Sequence, residues 1–181
     1  MKKLSVRDMC YIALMAVVIA VCSWISVPGD IPFTMQTFGV FCTIGLLGGR
    51  RAAFSVAVYI LLGAVGLPVF SGFSGGVGRL FGMTGGYIIG FLFMPPAYQL
   101  VIRLSGKGTF SRALGMLLGL AVCYAFGTAW FVVVYASQSG PIGFAAAAAK
   151  CVVPYIIPDL IKLALAIALT SQLAPRLKLA E

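Results

Sequence analysis

Ala113-Leu-Gly-Met-Leu-Leu-Gly-Leu-Ala-Val-Cys-Tyr-Ala-Phe-Gly-Thr-Ala-Trp-Phe-Val-Val-Val-Tyr-Ala136 runs for 24 residues without a charged side chain. At a rise of 1.5 Å per residue, about 20 apolar residues carry a helix across the hydrocarbon core of a bilayer. The run therefore predicts a transmembrane helix. Working outward, five more apolar stretches follow the same logic, at about 9–27, 34–48, 52–68, 84–103 and 150–173. The stretch at 34–48 is short, so it either begins inside Pro28-Gly-Asp-Ile-Pro32 or tilts little. The expected fold is an all-α integral membrane protein, a bundle of six transmembrane helices forming a single domain over residues 1–181.

Composition supports this class. Of the 181 residues 61% are hydrophobic and 9% charged, whereas a soluble domain keeps about a quarter of its residues charged. The net charge of +9 does not form a patch of the kind that binds nucleic acid; the basic residues punctuate apolar runs. Lys2, Lys3 and Arg7 precede a first run long enough to span, so a transmembrane helix is expected there rather than a cleavable leader. There is no histidine, and the five cysteines are scattered without a C-x-x-C pair. No metal, no cofactor and no catalytic residues are expected.

Ten of the 13 basic residues fall on alternate sides of the spans: Lys2, Lys3 and Arg7; Arg50 and Arg51; Arg103, Lys107 and Arg112; Arg176 and Lys178. By the positive-inside rule both termini and these loops are cytoplasmic. Arg79, Lys150 and Lys162 break the pattern, and exceptions of this kind point to function.

Arg79 sits in a glycine-rich connection. Eight of the 22 glycines lie from Gly72 to Gly90, yet Leu67, Val69, Phe70, Phe73, Leu80 and Phe81 make the loop too apolar for a plain linker. It is expected to fold back on the bundle, with backbone groups facing a cavity. Lys162 belongs to Pro154-Tyr-Ile-Ile-Pro-Asp-Leu-Ile-Lys162. A charge within a bilayer costs at least about 2.5–3.5 kcal/mol, and Asp159 is the one acidic residue inside an expected span. At spacing i, i+3 the two share a helix face. They form either an ion pair that staples the bundle or a substrate site. Gln36, in the otherwise apolar start of the second stretch, is a further ligand candidate; Thr34 and Thr37 are capping residues or ligands. Trp130 and Tyr135 are interfacial belt residues or a stacking wall. Such groups suit a small ligand with an apolar body and polar ends.

Four motifs in order, Pro32-Phe-Thr-Met-Gln-Thr-Phe38, Leu61-Leu-Gly-Ala-Val-Gly-Leu-Pro-Val-Phe70, Thr84-Gly-Gly-Tyr87 and Pro158-Asp-Leu-Ile-Lys162, resemble the BioY family, the biotin-specific S components of energy-coupling-factor transporters. The resemblance covers about residues 9–173. It implies a six-helix bundle in a prokaryotic cell membrane, with biotin held by Asp159 and Lys162 and covered by the glycine-rich loop. It also implies partners, a transmembrane coupling protein and two ABC-type ATPases. Ala13, Ala16 and Ala20 resemble the docking face for the coupling protein. With the readings above, the candidate substrate-binding residues are Asp159, Lys162, Arg79, Gln36, Tyr155, Gly76 and Tyr87, and Arg79 or Lys150 would hold the carboxylate. The competing function is a proton-coupled secondary transporter of another small vitamin-like anion, with Asp159 as relay. That architecture asks for broken helices in both halves, and one is visible. A membrane enzyme lacks any recognisable nucleophile–base set.

Overall fold

The computed structural model describes residues 4–27 and 33–177, with side chains as far as residue 175. Lys2, Lys3, Lys178 and the Pro28–Pro32 stretch lie outside the described residues, as does the side chain of Arg176. Among the described residues, five helical stretches are long and apolar enough to cross a membrane: Val6–Trp24, Gln36–Ala64, Gly85–Ser105, Thr109–Ser139 and Val153–Pro175.

Helix α1 (Val6–Trp24) starts three residues before the expected run because Ser5 and Asp8 form a reciprocal capping box, which satisfies two of the amides a helix start leaves unpaired. Its inward face is Ile12, Met15, Ala16, Ile19, Ala20 and Ser23. Ala16 and Ala20 are 1% and 6% exposed, so the expectation that they dock a partner is corrected. Their small size serves close packing of α1 on the next helix, and of the three alanines Ala13 alone stays exposed. A two-residue hairpin, β1 (Ser26–Val27) with β2 (Phe33–Thr34), then leads into α2 (Gln36–Ala64).

Helix α2 contains both the second and the third expected stretches. At Gly48 the backbone leaves helical geometry, with φ 70° and ψ 173°, a left-handed φ that glycine adopts without a Cβ clash. Gln36 Nε2 donates to the Tyr59 hydroxyl at 2.7 Å. In a straight helix 23 residues would separate them by about 34 Å, so the two arms of α2 fold back on each other at Gly48. Arg51, just past the turn, pairs with Asp8 at 2.9 Å.

The glycine-rich connection is folded, as its apolar residues lead one to expect. Phe70 is fully buried, edge-on to Tyr59 with centroids 5.5 Å apart. Trp24 stacks on Phe73 and donates to the Pro68 carbonyl. A short helix α3 (Val77–Leu80) precedes α4 (Gly85–Gly90), a 3₁₀ turn at Phe91–Phe93, and α5 (Met94–Ser105). Pro95 and Pro96 open α5; their missing N–H groups withhold two helical bonds, which accounts for the tightened turn before them.

Helix α6 (Thr109–Ser139) holds the 24-residue run. Lys150 does not open the last long helix as expected. It ends a separate short helix, α7 (Phe144–Cys151), and α8 (Val153–Leu177) follows. On α8 the buried side chains Asp159, Lys162, Leu163, Ala166, Thr170 and Ala174 recur every three or four residues, and Ile156, Ile157, Leu160, Ile161, Leu165 and Leu169 form the exposed apolar face. Arg50, Arg51, Lys107 and Arg112 gather at one end of the bundle, while Arg79, Asp159 and Lys162 gather at the other.

A Cβ added at Gly63 would lie 2.0 Å from the Phe70 ring, a rigid neighbour with no room to retreat. Gly63→Ala is therefore expected to destabilise the protein by about 1–3 kcal/mol through overpacking, with Phe70→Leu in the same chain recovering part of the loss. Thermal unfolding in detergent checks this; identical melting of Gly63→Ala and wild type would show that the ring is not held there.

Candidate functional site

Proline in the first turns of α8 shapes the site. Pro158 has no N–H to give, so the carbonyl of Pro154, one turn earlier, loses its helical partner. One residue further on, Asp159 points inward and is 3% exposed; Lys162, a turn later, is 4% exposed. The two meet at 2.8 Å.

Neither charge stands alone. Asp159 Oδ1 accepts from Lys162 Nζ and from Thr37 Oγ1 at 2.8 Å, and Oδ2 accepts from the Tyr124 hydroxyl at 2.6 Å. Lys162 Nζ also donates to the Thr34 carbonyl at 2.6 Å and to Thr37 Oγ1 at 3.2 Å. The ammonium has three protons and three oxygens around it. It further lies 4.1 Å from the centroid of Phe33, a cation–π contact that strengthens once water is excluded. A carboxylate offers about four lone-pair sites, and the three donors here leave one.

These groups form one wall of a cavity whose empty space, open mouth included, is about 760 Å³. Tyr155, stacked on Phe33 at 6.4 Å, and Phe70, Ile88 and Phe91 supply apolar surface. Tyr87 also lines the cavity; its hydroxyl lies 3.0 Å from Thr128 Oγ1. Its ring lies against Gly127, where a Cβ would come within 2.2 Å of it. Arg79 reaches the cavity from α3, and its guanidinium has no hydrogen-bond or ion-pair partner among the described residues.

Six of the seven candidate residues, Asp159, Lys162, Arg79, Gln36, Tyr155 and Tyr87, thus border one space. Gly76 does not. With φ 94° it caps α3, and its N–H donates to the Gly63 carbonyl at 2.7 Å, so it ties the loop to α2. Lys150 is likewise absent from the lining, although its neighbour Cys151 is present. The amide nitrogen of Gln36 is taken by Tyr59. Trp130 donates to the Gly82 carbonyl at 3.1 Å and so holds the loop, while Tyr135 stacks on Phe131. Tyr124 is the residue that sequence reasoning missed. Its signal was a hydroxyl midway along an apolar span.

Removing one member of a buried pair leaves the other uncompensated, at about 3–5 kcal/mol, whereas removing both costs much less. Lys162→Met is therefore expected to unfold at a lower temperature than Asp159→Asn/Lys162→Met. Thermal melts of the two variants check this, and a double mutant less stable than Lys162→Met would show that the charges do not depend on each other.

Residues 1–179 match the model of the BioY family. The "Probable biotin transporter BioY" of Pyrococcus horikoshii is 36% identical over 168 residues, covering 92% of this chain and 96% of that one. The "Biotin transporter BioY" of Thermotoga maritima is 37% identical over 164 residues, covering 88% and 91%. Among solved structures, the S-component for biotin from an ECF-type ABC transporter superposes with a TM-score of 0.80 at 27% identity, over 93% of this chain and 90% of that one. With a match along nearly its whole length and relatives of similar size, the chain belongs to the BioY family.

Proposed function

We propose that this chain captures biotin and serves as the substrate-binding subunit of an ECF-type importer, not as an enzyme. The observation that carries the reading is the buried carboxyl group of Asp159, which lines the cavity and is held in place by Lys162, Thr37 and Tyr124 with about one acceptor site left over. The family and its named relatives supply the ligand: biotin has a ureido ring with two N–H groups, an apolar thiophane ring and an anionic valerate. In this reading Asp159 accepts a ureido N–H, the aromatic wall of Phe70, Tyr155 and Phe91 packs the ring system, and Arg79 meets the valerate. Lys162, its protons already engaged, fixes the carboxylate and its charge.

The same proposal has the chain crossing the membrane six times, with both termini cytoplasmic. The fold-back of α2 at Gly48 and the gathering of the alternate basic loops at one end support it. A coupling protein and two ATPases would supply the energy, since capture alone has no direction. The exposed side of α1, Ala13 with Val17 and Val21, is left for a partner helix. A proton-coupled carrier is less well supported: the break in α2 lies at the end remote from the site, and Asp159 is already paired with a cation.

Asp159→Asn keeps one acceptor oxygen, at the Oδ1 position that Lys162 and Thr37 use, but loses the charge and the second acceptor that Tyr124 uses. Equilibrium binding should show biotin affinity falling about ten- to hundredfold, the worth of one charge-assisted hydrogen bond. Arg79→Ala should weaken biotin but leave biotin methyl ester, which has no anionic end, unchanged. Unaltered biotin affinity in Asp159→Asn would return the pair to a purely structural role; equal losses for biotin and its ester in Arg79→Ala would remove Arg79 from the carboxylate.

A further inference from the structure

A second cavity opens at the other end of the bundle, among the start of α1, the Gly48 turn, the end of α5, the start of α6 and the end of α8. It encloses about 1440 Å³, its open side included. Four cations border it, Arg50, Arg51, Lys107 and Arg112, against one carboxylate, Asp8. Asp8 accepts from the Ser5 amide and pairs with Arg51, itself one of the four. The four cations converge from the Gly48 turn, the connection between α5 and α6, and the first turn of α6.

Two orphaned atoms in the same cavity add an independent signal. Arg112 Nε and Ser171 Oγ are buried and have no hydrogen-bond partner among the described residues, and both residues line the cavity. A buried donor left unmet costs about 1–3 kcal/mol, more when charged, and these two approach from different helices, α6 and α8. A ligand with several acceptor oxygens between them would satisfy both at once. The amino end of α6 lies beside Arg112, and its dipole favours negative charge. On either side of Lys107, Leu104 and Phe110 are 78% and 80% exposed, an apolar rim suited to acyl chains.

We infer that this cavity binds a phosphate-bearing anion, either the head group of an acidic phospholipid or a free phosphate compound. The guanidinium of Arg112 and the ammonium of Lys107 contact the phosphate oxygens, and Ser171 donates to one of them. The site is separate from the biotin cavity, and its occupancy does not depend on biotin.

The test uses the full chain, purified in a neutral detergent, with Arg112→Gln and Lys107→Gln as variants; Lys107 is exposed, so its replacement leaves folding intact. Native mass spectrometry is run with dioleoyl phosphatidylglycerol and with dioleoyl phosphatidylcholine, and thermal shift with inorganic phosphate. One retained phosphatidylglycerol per chain, at least about tenfold weaker in both variants, assigns the site to a lipid head group. A phosphate-induced rise in melting temperature that both variants lose, without preferential phosphatidylglycerol retention, assigns it to a free anion. Retention that is equal for the two lipids and unchanged in the variants, with no phosphate effect, overturns the inference, as does binding of an acidic peptide when neither lipid nor phosphate binds.

Discussion

An ammonium and a carboxylate 2.8 Å apart, both almost wholly buried, are the constraint around which this bundle is arranged. Each alone costs several kcal/mol to bury, and the pair is tolerable only when every remaining proton and lone pair finds a partner. That requirement recruits distant parts of the chain. Thr34 and Thr37 come from the hairpin and the start of α2, Tyr124 from the middle of α6, and Phe33 from β2. The pair therefore fixes how three helices meet, and the cavity is the space they leave.

A second tier of contacts roofs that space. Trp24, Gly63, Phe70 and Trp130 hold the glycine-rich connection by stacking, close approach and hydrogen bonds to its carbonyls. Glycine here does not mean looseness. At Gly63 the missing Cβ admits a phenyl ring, and the loop becomes one side of a walled pocket.

Much of this was legible in the sequence because hydrocarbon imposes strict rules: apolar runs of spanning length, charges that alternate by side, and exceptions that cost energy. The runs near 84–103 and 113–136 match Gly85–Ser105 and Thr109–Ser139 closely. Asp159, Lys162 and Arg79 announced themselves as charges out of place. What stayed hidden had no one-dimensional trace. A stripe of small residues looks the same whether it packs inside a chain or between chains, so Ala16 and Ala20 read as a docking face and proved to be core. Tyr124 is an ordinary aromatic until the fold brings it to Asp159. Gly76 lies in the same loop as Arg79 but outside the cavity lining, its N–H tied to the Gly63 carbonyl.

The count of donors around Asp159 bears on discrimination among look-alike molecules. With three of about four lone-pair sites already filled, the carboxylate itself has little charge left to attract ligands indiscriminately. One directional vacancy remains, bounded by rigid rings. A compound of the right shape that lacks a hydrogen at that point would expel the water there and put nothing in its place. Sites built to satisfy a specific donor reject such analogues by as much as about 10⁴–10⁵-fold. Selectivity in this pocket then comes less from strong attraction to the right molecule than from the thirst it leaves in the presence of the wrong one.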